Sequence, residues 1–325
     1  MAVNDDEERS PQENVRERHF LVDQNYVGWR LDQFLTSRIP RISRTFAGEI
    51  IRHGNIELVP ARRPKAAMRL HMDDVVILRQ TLEPELVQDG EASLLYEDEV
   101  MLVVNKPAGM LVHESASTRL NTITHFLRRK GYANAEPVHR IDRETSGVLV
   151  CAARTAYVAR LRGMFATTHP DKIYRALVLD PQGRWQRGMS ATLKTPLGQD
   201  HNSVLSVRMG RGELEATTHV KVIRRIRHAF GPMADLEVAI ETGRQHQIRV
   251  HLAMEGTPIA GDKLYSMDDA FFMAICAQPE DQALLSRLPF ARHALHAWKI
   301  GLEHPLDGRR LVVEAPLPGI WEAGK

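Results

Sequence analysis

Residues 138–150 read VHRIDRETSGVLV, a polar segment that runs directly into an apolar, strand-like one. Asp142 lies between Arg140 and Arg143, and the Thr-Ser-Gly sequence that follows favours a turn before Val148. If the first part is extended, Arg140 and Asp142 point to one face of the chain and Arg143 points to the other. The apolar core then fixes where the carboxylate projects. Taken alone, the same pattern is also typical of a surface salt bridge at a turn.

Apolar runs of strand length recur along the chain beyond residue 93. Their β-favouring residues predict strands, and the runs do not alternate regularly with helices. Helical spacing is clearest in two stretches, Leu120 to Gly131 and Thr155 to Thr167. Strands outnumber helices and no repeat is present, so the sequence predicts an α+β fold with a large, mostly antiparallel mixed sheet and flanking helices.

The composition is that of a globular protein. The 325 residues are 43% hydrophobic and 26% charged, which excludes collagen-like, coiled-coil and low-complexity chains. No apolar run approaches the ~18 residues of a membrane span, and the acidic first residues lack the apolar core of a secretion signal. The two cysteines, Cys151 and Cys276, cannot form a disulfide framework or a cysteine metal site. We therefore expect a monomeric cytoplasmic protein that binds no membrane.

Charge is distributed unevenly along the chain. Residues 1–19 hold six acidic residues and three arginines, net −3, with almost nothing to bury, so we expect a disordered acidic tail. Residues 28–79 hold ten basic and five acidic residues, net +5. Residues 81–92 are polar and acidic and are interpreted as a linker. A large domain over residues 93–325 follows.

The basic segment belongs to a module over residues 20–80 with the order helix, helix, strand, strand. Apolar residues recur at helical spacing from Leu31 and again after Ser43, and residues 56–58 and 75–78 favour strands. Basic residues off the apolar stripes can share one surface that suits RNA phosphates, although a charge run is more often only a solvated face. The candidate RNA-binding residues are Arg30, Arg38, Arg41, Arg44 and Arg52.

Several common chemistries lack their motifs. There is no glycine-rich phosphate loop, no GxGxxG and no HExxH, so nucleotide hydrolysis, dinucleotide redox and zinc peptidase chemistry are unsupported. Ser146 lacks the first glycine of a nucleophile elbow. His246 and His251 are five residues apart with no carboxylate at ligand spacing, so we interpret them as solvated or hydrogen-bonded histidines. We expect neither a metal nor a cofactor.

A second polar segment, TGRQHQIRVH at residues 242–251, places basic and amide side chains around two apolar positions. Arginine and histidine can converge there on an anion or on an RNA backbone. Arg244 and His246 are therefore candidate substrate-binding residues.

Together these segments resemble the RluA-type pseudouridine synthases across nearly all of residues 93–325. Departures are slight, since Ile141, Glu144 and Gln245 stand where leucine, aspartate and threonine are usual or common, and none alters a charge at the proposed centre. Residues 28–58 resemble the small S-four-type RNA-binding module, an αL-type unit named after a ribosomal protein. The matching stretches of the large domain are VVNKPAGMLVH (103–113), VHRIDRETSGVLV (138–150), KIYRALV (172–178), ETGRQHQIRVH (241–251), GDKLY (261–265) and RHALHAW (292–298).

The resemblance implies conversion of uridine to pseudouridine in RNA, on the pseudouridine synthase fold and without a cofactor. It assigns Asp142 as the catalytic carboxylate, which either attacks the anomeric carbon or removes a sugar proton. It assigns Arg249 as the ion-pair partner that keeps this carboxylate charged. Tyr174 would stack on the uracil and participate in proton removal from carbon 5. Arg140 would fill the gap left by the flipped nucleotide, and His139 would support this loop or contact RNA.

The resemblance leaves alternatives open. A module in front of the catalytic domain is similar to the arrangement of members that act on large-subunit ribosomal RNA, whereas some short members that act on transfer RNA lack it. A transfer RNA pseudouridine synthase and a non-catalytic RNA-binding ribosome assembly factor remain alternatives. A heat-shock or stalled-ribosome binder would leave residues 93–325 without a role. Asp142 favours an enzyme, because a pure RNA binder has no use for an ionised carboxylate aimed at an anionic ligand.

Overall fold

The chain divides into two compact units, Met1–Glu85 and Leu86–Lys325. The structure is a computed structural model, and it describes residues 15–39, 44–52, 54–81, 91–115, 118–167 and 170–322. Within these ranges no helix has the length and apolar character that crossing a membrane requires.

In its described residues, the small unit has two helices and a three-stranded antiparallel sheet with the strand order β1-β3-β2. Leu31, Phe34 and Leu35 of the first helix are fully buried, and they share one core with Ile51 of the second helix and Leu58 of the sheet. The predicted order of helix, helix, strand, strand is present. The elements are β1 (Val15–Leu21), α1 (Leu31–Arg38), α2 (Arg44–Arg52), β2 (Ile56–Val59) and β3 (Val75–Thr81).

Strand β1 corrects the expectation of a disordered tail as far as residue 19. It pairs with β3 along its whole length, from Val15 opposite Thr81 to Leu21 opposite Val75. Glu17 accepts a hydrogen bond from Arg79 Nε at 2.7 Å, so part of the acidic charge is paired across the two strands. An acidic composition suggests disorder only where no such partner exists. Residues 1–14 lie outside the described part of the chain.

The two end residues of the expected linker over residues 81–92 belong to structured elements. Thr81 completes β3, and Ala92 is buried in the core of the large unit. Residues 82–90 lie outside the described ranges.

A ten-stranded sheet forms the large unit, with the path β4-β5-β7-β14-β8-β13-β12-β9, β15 beside β14, and β6 beside β7. Its strand pairs are antiparallel except β7 with β14, so the predicted α+β fold with a mostly antiparallel mixed sheet is confirmed. The strands are β4 (Ser93–Glu97), β5 (Met101–Lys106), β6 (Glu136–Pro137), β7 (Ser146–Ala152), β8 (Asp171–Leu179), β9 (Ser190–Leu193), β12 (Thr218–His228), β13 (Gly231–Ile240), β14 (Leu295–Glu303) and β15 (Arg310–Glu314), and a separate hairpin is formed by β10 (Leu197–Gln199) and β11 (Met209–Arg211).

Helices of the large unit agree with the sequence where the apolar spacing is clear. The predicted helix over Thr155 to Thr167 is present, whereas the one predicted from Leu120 begins at Ile123 because the Thr122 hydroxyl accepts a hydrogen bond from the His125 amide and caps it. The helices are α3 (Ile123–Arg129), α4 (Thr155–Thr167), α5 (Gln247–Met254), α6 (Asp269–Ala277) and α7 (Gln282–Leu285).

Gly147 permits the parallel pairing of β7 with β14. It is the second residue of β7 and lies beside Ala297 of β14, and Ala297 in turn lies opposite Tyr174 of β8. The φ angle of Gly147 is +109°, and a Cβ atom there would lie 2.1 Å from the carbonyl oxygen of Ala297. Only glycine fits this close approach, which joins the segment of Asp142 to the middle of the sheet.

Gly147→Ala is expected to lower the free energy of unfolding by about 3 kcal/mol or more, because it combines a steric clash with an unfavourable backbone angle. Gly163→Ala is the matched control, since Gly163 lies within α4 with nothing within 4 Å of an added Cβ. That variant should gain about 0.5–1 kcal/mol. Denaturant unfolding of both variants measures the difference, and equal stabilities would contradict the packing described for β7 and β14.

Candidate active site

Asp142 lies in the turn that leads into β7. Its carbonyl oxygen accepts a hydrogen bond from the Thr145 amide at 3.1 Å, which closes the turn. Buried histidines anchor Thr145 and Ser146. Thr145 Oγ1 lies 2.8 Å from His293 Nε2, and Ser146 Oγ lies 2.8 Å from His296 Nδ1. The Asp142 side chain itself is 25% exposed. The core therefore fixes the carboxylate and leaves it accessible.

Arg249 of α5 binds two carboxylates. Its Nη1 donates to Asp142 Oδ2 at 2.9 Å, while its Nε and Nη2 donate to the two oxygens of Asp262 at 2.7 and 2.9 Å. The Arg249 side chain is 9% exposed and that of Asp262 is fully buried. Asp262 thus holds one edge of the planar guanidinium, and a remaining N–H bond is directed at Asp142.

The charge of Arg249 determines the protonation state of the site. Burial alone would raise the pKa of Asp142, but the adjacent guanidinium outweighs burial and the pKa lies below its ordinary value. Asp262 follows the same balance, so its pKa is also lowered. Burial opposes the charge of Arg249, yet the two carboxylates raise its pKa. The site therefore holds one cation between two anions at neutral pH.

Asp262 is a site residue that the sequence analysis did not single out. Its Oδ1 also accepts hydrogen bonds from the amides of Leu264 and Tyr265, at 3.0 and 3.1 Å. Gly261 before it has a φ of +80°, and a Cβ atom there would lie 2.2 Å from the carbonyl oxygen of Arg292. The available signal was the GDKLY stretch, in which a carboxylate follows a glycine that the backbone requires.

Lys106 is a second buried residue whose role the sequence did not predict. It is fully buried at the end of β5, and its Nζ donates to the carbonyl oxygens of Pro107, Met110 and Arg143 at 2.8 to 3.0 Å. Burial lowers the pKa of Lys106 to about 7, against the opposing charge of Asp142. Its three N–H bonds tie the segment that carries Asp142 to the loop after β5.

Tyr174 is placed near Asp142 by the central strands β7, β14 and β8. It is 8% exposed and lies on β8. Burial, and then the charge of Asp142, raises the pKa of Tyr174 well above its usual value. The hydroxyl is therefore protonated in the resting site.

His246 also lies near the carboxylate, where its Nε2 is 3.9 Å from Asp142 Oδ2. Burial, together with the charge of Arg249, lowers the pKa of His246 to about 4, so the ring is neutral at pH 7. The Tyr265 hydroxyl accepts a hydrogen bond from the Met209 amide and lies 2.9 Å from His246 Nδ1. Donation by this hydroxyl to Nδ1 gives the Tyr265 proton an acceptor and leaves the His246 proton on Nε2, facing Asp142.

Known proteins are similar in sequence to this chain over most of its length. Residues 100–254 match the family described as RNA pseudouridylate synthase. The chain is 34% identical to ribosomal large subunit pseudouridine synthase D of Zymomonas mobilis, over 90% of this chain and 91% of that protein. It is 32% identical to ribosomal large subunit pseudouridine synthase C of Vibrio vulnificus, over 91% of both. The chain belongs to the RNA pseudouridylate synthase family.

The resemblance to RluA-type pseudouridine synthases is thus confirmed. A solved structure, human RNA pseudouridylate synthase domain containing 1, matches with a TM-score of 0.56 and 23% identity, over 74% of this chain and 89% of that one. This likeness supports the pseudouridine synthase fold of the large unit.

The other predicted substrate-binding residues of this synthase differ in exposure. Arg140 is exposed and makes no ion pair or hydrogen bond with a described residue, so its guanidinium is available. Arg244 is exposed and donates from Nε to the carbonyl oxygen of Glu215 at 3.0 Å. His139 instead accepts a hydrogen bond from the Val150 amide at 2.9 Å and stacks on Phe165, which places it in support of the loop.

Candidate RNA-binding arginines of the small unit separate into two groups. Arg30 and Arg44 both form ion pairs with the nearly buried Asp32, at 2.7 and 3.3 Å. Arg38 lies over the ring of Tyr26 at 5.4 Å and is exposed, and Arg52 is exposed. Arg41 lies outside the described residues.

Histidine positions were interpreted from sequence as hydrogen-bonded or solvated. His251 fits this interpretation, because its two ring nitrogens lie 2.8 Å from Thr218 Oγ1 and 2.9 Å from the carbonyl oxygen of Thr195. Among the residues that the structure describes, no three histidine, cysteine or acidic side chains are grouped as metal ligands.

Asp262→Asn is expected to lower the free energy of unfolding by about 3–5 kcal/mol, because it leaves part of a buried charge uncompensated. Asp171→Asn is the matched control, since Asp171 forms an ion pair with Arg310 at the surface. Its effect should stay below about 1 kcal/mol. Denaturant unfolding measures both, and similar small effects would contradict the structural role of Asp262.

Proposed function

We propose that this synthase isomerises uridines in large-subunit ribosomal RNA and that Asp142 is its catalytic carboxylate. The observation that carries the catalytic part is the ion pair of Arg249 with Asp142, which keeps a partly exposed carboxylate charged. The names of relatives from Zymomonas mobilis and Vibrio vulnificus support the ribosomal substrate, as does the net charge of +5 over residues 28–79, which precede the synthase domain in sequence.

The reaction needs an ionised acid and no change in oxidation state. The bond between N1 of uracil and the anomeric carbon breaks, the base turns, and a new bond forms from the anomeric carbon to carbon 5. Carbon 5 then loses its proton, and N1 ends protonated, so atoms and charge balance. Asp142 either attacks the anomeric carbon or removes a sugar proton, and both routes require the charged form that Arg249 stabilises.

Tyr174 and Arg140 act on the base and on the RNA stack. The Tyr174 ring provides an aromatic surface for the uracil, and its hydroxyl participates in moving the carbon 5 proton. Because its pKa is raised, this hydroxyl starts as a hydrogen-bond donor and relays a proton instead of acting as a phenolate. The exposed Arg140 occupies the space that the flipped nucleotide leaves. His246, whose Nε2 lies 3.9 Å from Asp142 Oδ2, and the exposed Arg244 contact the substrate.

Asp142→Asn should abolish pseudouridine formation while RNA affinity stays nearly unchanged, because the amide keeps the shape but cannot act as nucleophile or base. A strain that lacks the gene is complemented with the wild type, Asp142→Asn or the surface control Asp171→Asn, and pseudouridines are mapped in ribosomal and transfer RNA. We expect sites in large-subunit ribosomal RNA to return with the wild type and the control only.

Two outcomes of this mapping would contradict the proposal. Conversion by Asp142→Asn above a few per cent of wild type would remove Asp142 from the catalytic role. If the restored pseudouridines were confined to transfer RNA, the substrate would be transfer RNA instead of ribosomal RNA. The catalytic role of Asp142 would be unaffected.

Tyr174→Phe tests the hydroxyl separately from the ring. The variant keeps an aromatic ring for stacking, so RNA binding should persist, whereas the single-turnover rate should fall severely because the proton relay is lost. Rapid-quench measurement of product at saturating RNA gives this rate. Full activity of the phenylalanine variant would leave Tyr174 with a packing role only.

A further inference from the structure

Trp29 of the small unit is an exposed aromatic residue that the site described above does not use. It is 41% exposed, and its neighbour Val27 is 45% exposed. Both line a groove of about 570 Å³, which Gln33 and Ser37 of α1 and the exposed Arg69 also line. Large apolar side chains left in water together with convergent polar groups are typical of a binding surface.

The backbone around Trp29 is held rigidly. Its amide donates to the carbonyl oxygen of Tyr26 at 3.0 Å, and its own carbonyl oxygen accepts from the Leu70 amide at 3.0 Å. The indole ring packs edge-on against Tyr26 at 5.3 Å, and Tyr26 packs likewise against the fully buried Phe34. The ring therefore packs against a residue anchored on the core, and such an ordered side chain loses less entropy on binding.

Among the described residues that line the groove, Arg69 is the charged one, and Arg38 lies over the ring of Tyr26, which packs against Trp29. Arg69 donates from Nη1 to the carbonyl oxygen of Gly28 at 2.7 Å. Neither arginine forms an ion pair with a described residue, whereas Asp32, the acid of α1, is already bound to two other arginines. A phosphate is thus the complementary group for Arg38 and Arg69.

We propose that this groove binds one unpaired nucleotide of the RNA substrate, with the base stacked on Trp29 and the flanking phosphates on Arg69 and Arg38. The proposal rests on the proposed function, because it takes RNA as the ligand. An exposed indole that shares a groove with a guanidinium group suits single-stranded nucleic acid, for which stacking is tolerant of sequence. The amide of Gln33, on the same groove, provides both a donor and an acceptor for the edge of the base.

The binding test uses the full chain and a 12-residue oligocytidylate, which contains no uridine and cannot be turned over. Trp29 is a suitable reporter, because Trp185 and Trp321 are buried and Trp298 is half-buried. The oligonucleotide should quench tryptophan fluorescence, and a 12-base-pair RNA duplex should not. Trp29→Ala should weaken binding of the oligonucleotide about 5-fold or more, which corresponds to loss of one base stack.

Two further variants separate stacking from folding. Trp29→Phe should keep most of the affinity, because it keeps an aromatic ring, while the fluorescence change is lost. Met72→Ala is the matched control, since Met72 is 52% exposed in the same unit but does not line the groove, and its affinity should equal that of the wild type.

Several results would overturn the nucleotide site. One is an affinity of Trp29→Ala for the oligonucleotide that equals that of the wild type. Another is an equal effect of Trp29→Ala on the binding of single-stranded and duplex RNA. A third is a lower melting temperature of Trp29→Ala with no loss of affinity, which would mean that Trp29 packs against protein. Because no turnover is measured, these results leave the catalytic proposal untouched, and failure of Asp142 as the catalytic residue leaves the binding result untouched.

Discussion

The ion pair between Arg249 and Asp142 is the interaction on which the rest of the site depends. A carboxylate near a protein core loses water and tends to become neutral, so a fixed positive charge is needed to keep it ionised. Arg249 can supply that charge because Asp262, fully buried, binds its other edge. The site is therefore a chain of three charges in which the innermost acid orients the arginine and the arginine maintains the outer acid.

The sheet brings together residues that are far apart in sequence. Gly147, Ala297 and Tyr174 lie side by side on three neighbouring strands, so the turn of Asp142 and the ring of Tyr174 are positioned by the same backbone contacts. Lys106 adds a buried tie between the Asp142 segment and the loop after β5. Both features place rigid core around a side chain that stays partly open to solvent, which is the arrangement that a preorganised catalytic acid requires.

The local pattern of residues predicted much of this structure. The features that it missed depend on contacts between residues far apart in sequence. The apolar run after Gly147 predicts a buried strand without any knowledge of its neighbours, and motif resemblance pointed to Asp142, Tyr174 and Arg249. By contrast, the acidic composition around Glu17 predicted disorder where the structure has β1. The pairing of Glu17 with Arg79 depends on a strand some 60 residues away in sequence. Asp262 and Lys106 were missed for the same reason, since each is defined by buried partners that spacing alone does not reveal.

The most direct test is a carbon-13 NMR titration of the Asp142 side chain, assigned by difference from Asp142→Asn, in the wild type and in Arg249→Met. We expect the pKa of the wild-type Asp142 carboxyl to lie below the ordinary ~3.9 and to rise when the guanidinium is removed. A wild-type pKa at or above the ordinary ~3.9, or the same pKa in both proteins, would contradict the claim that Arg249 keeps the acid charged.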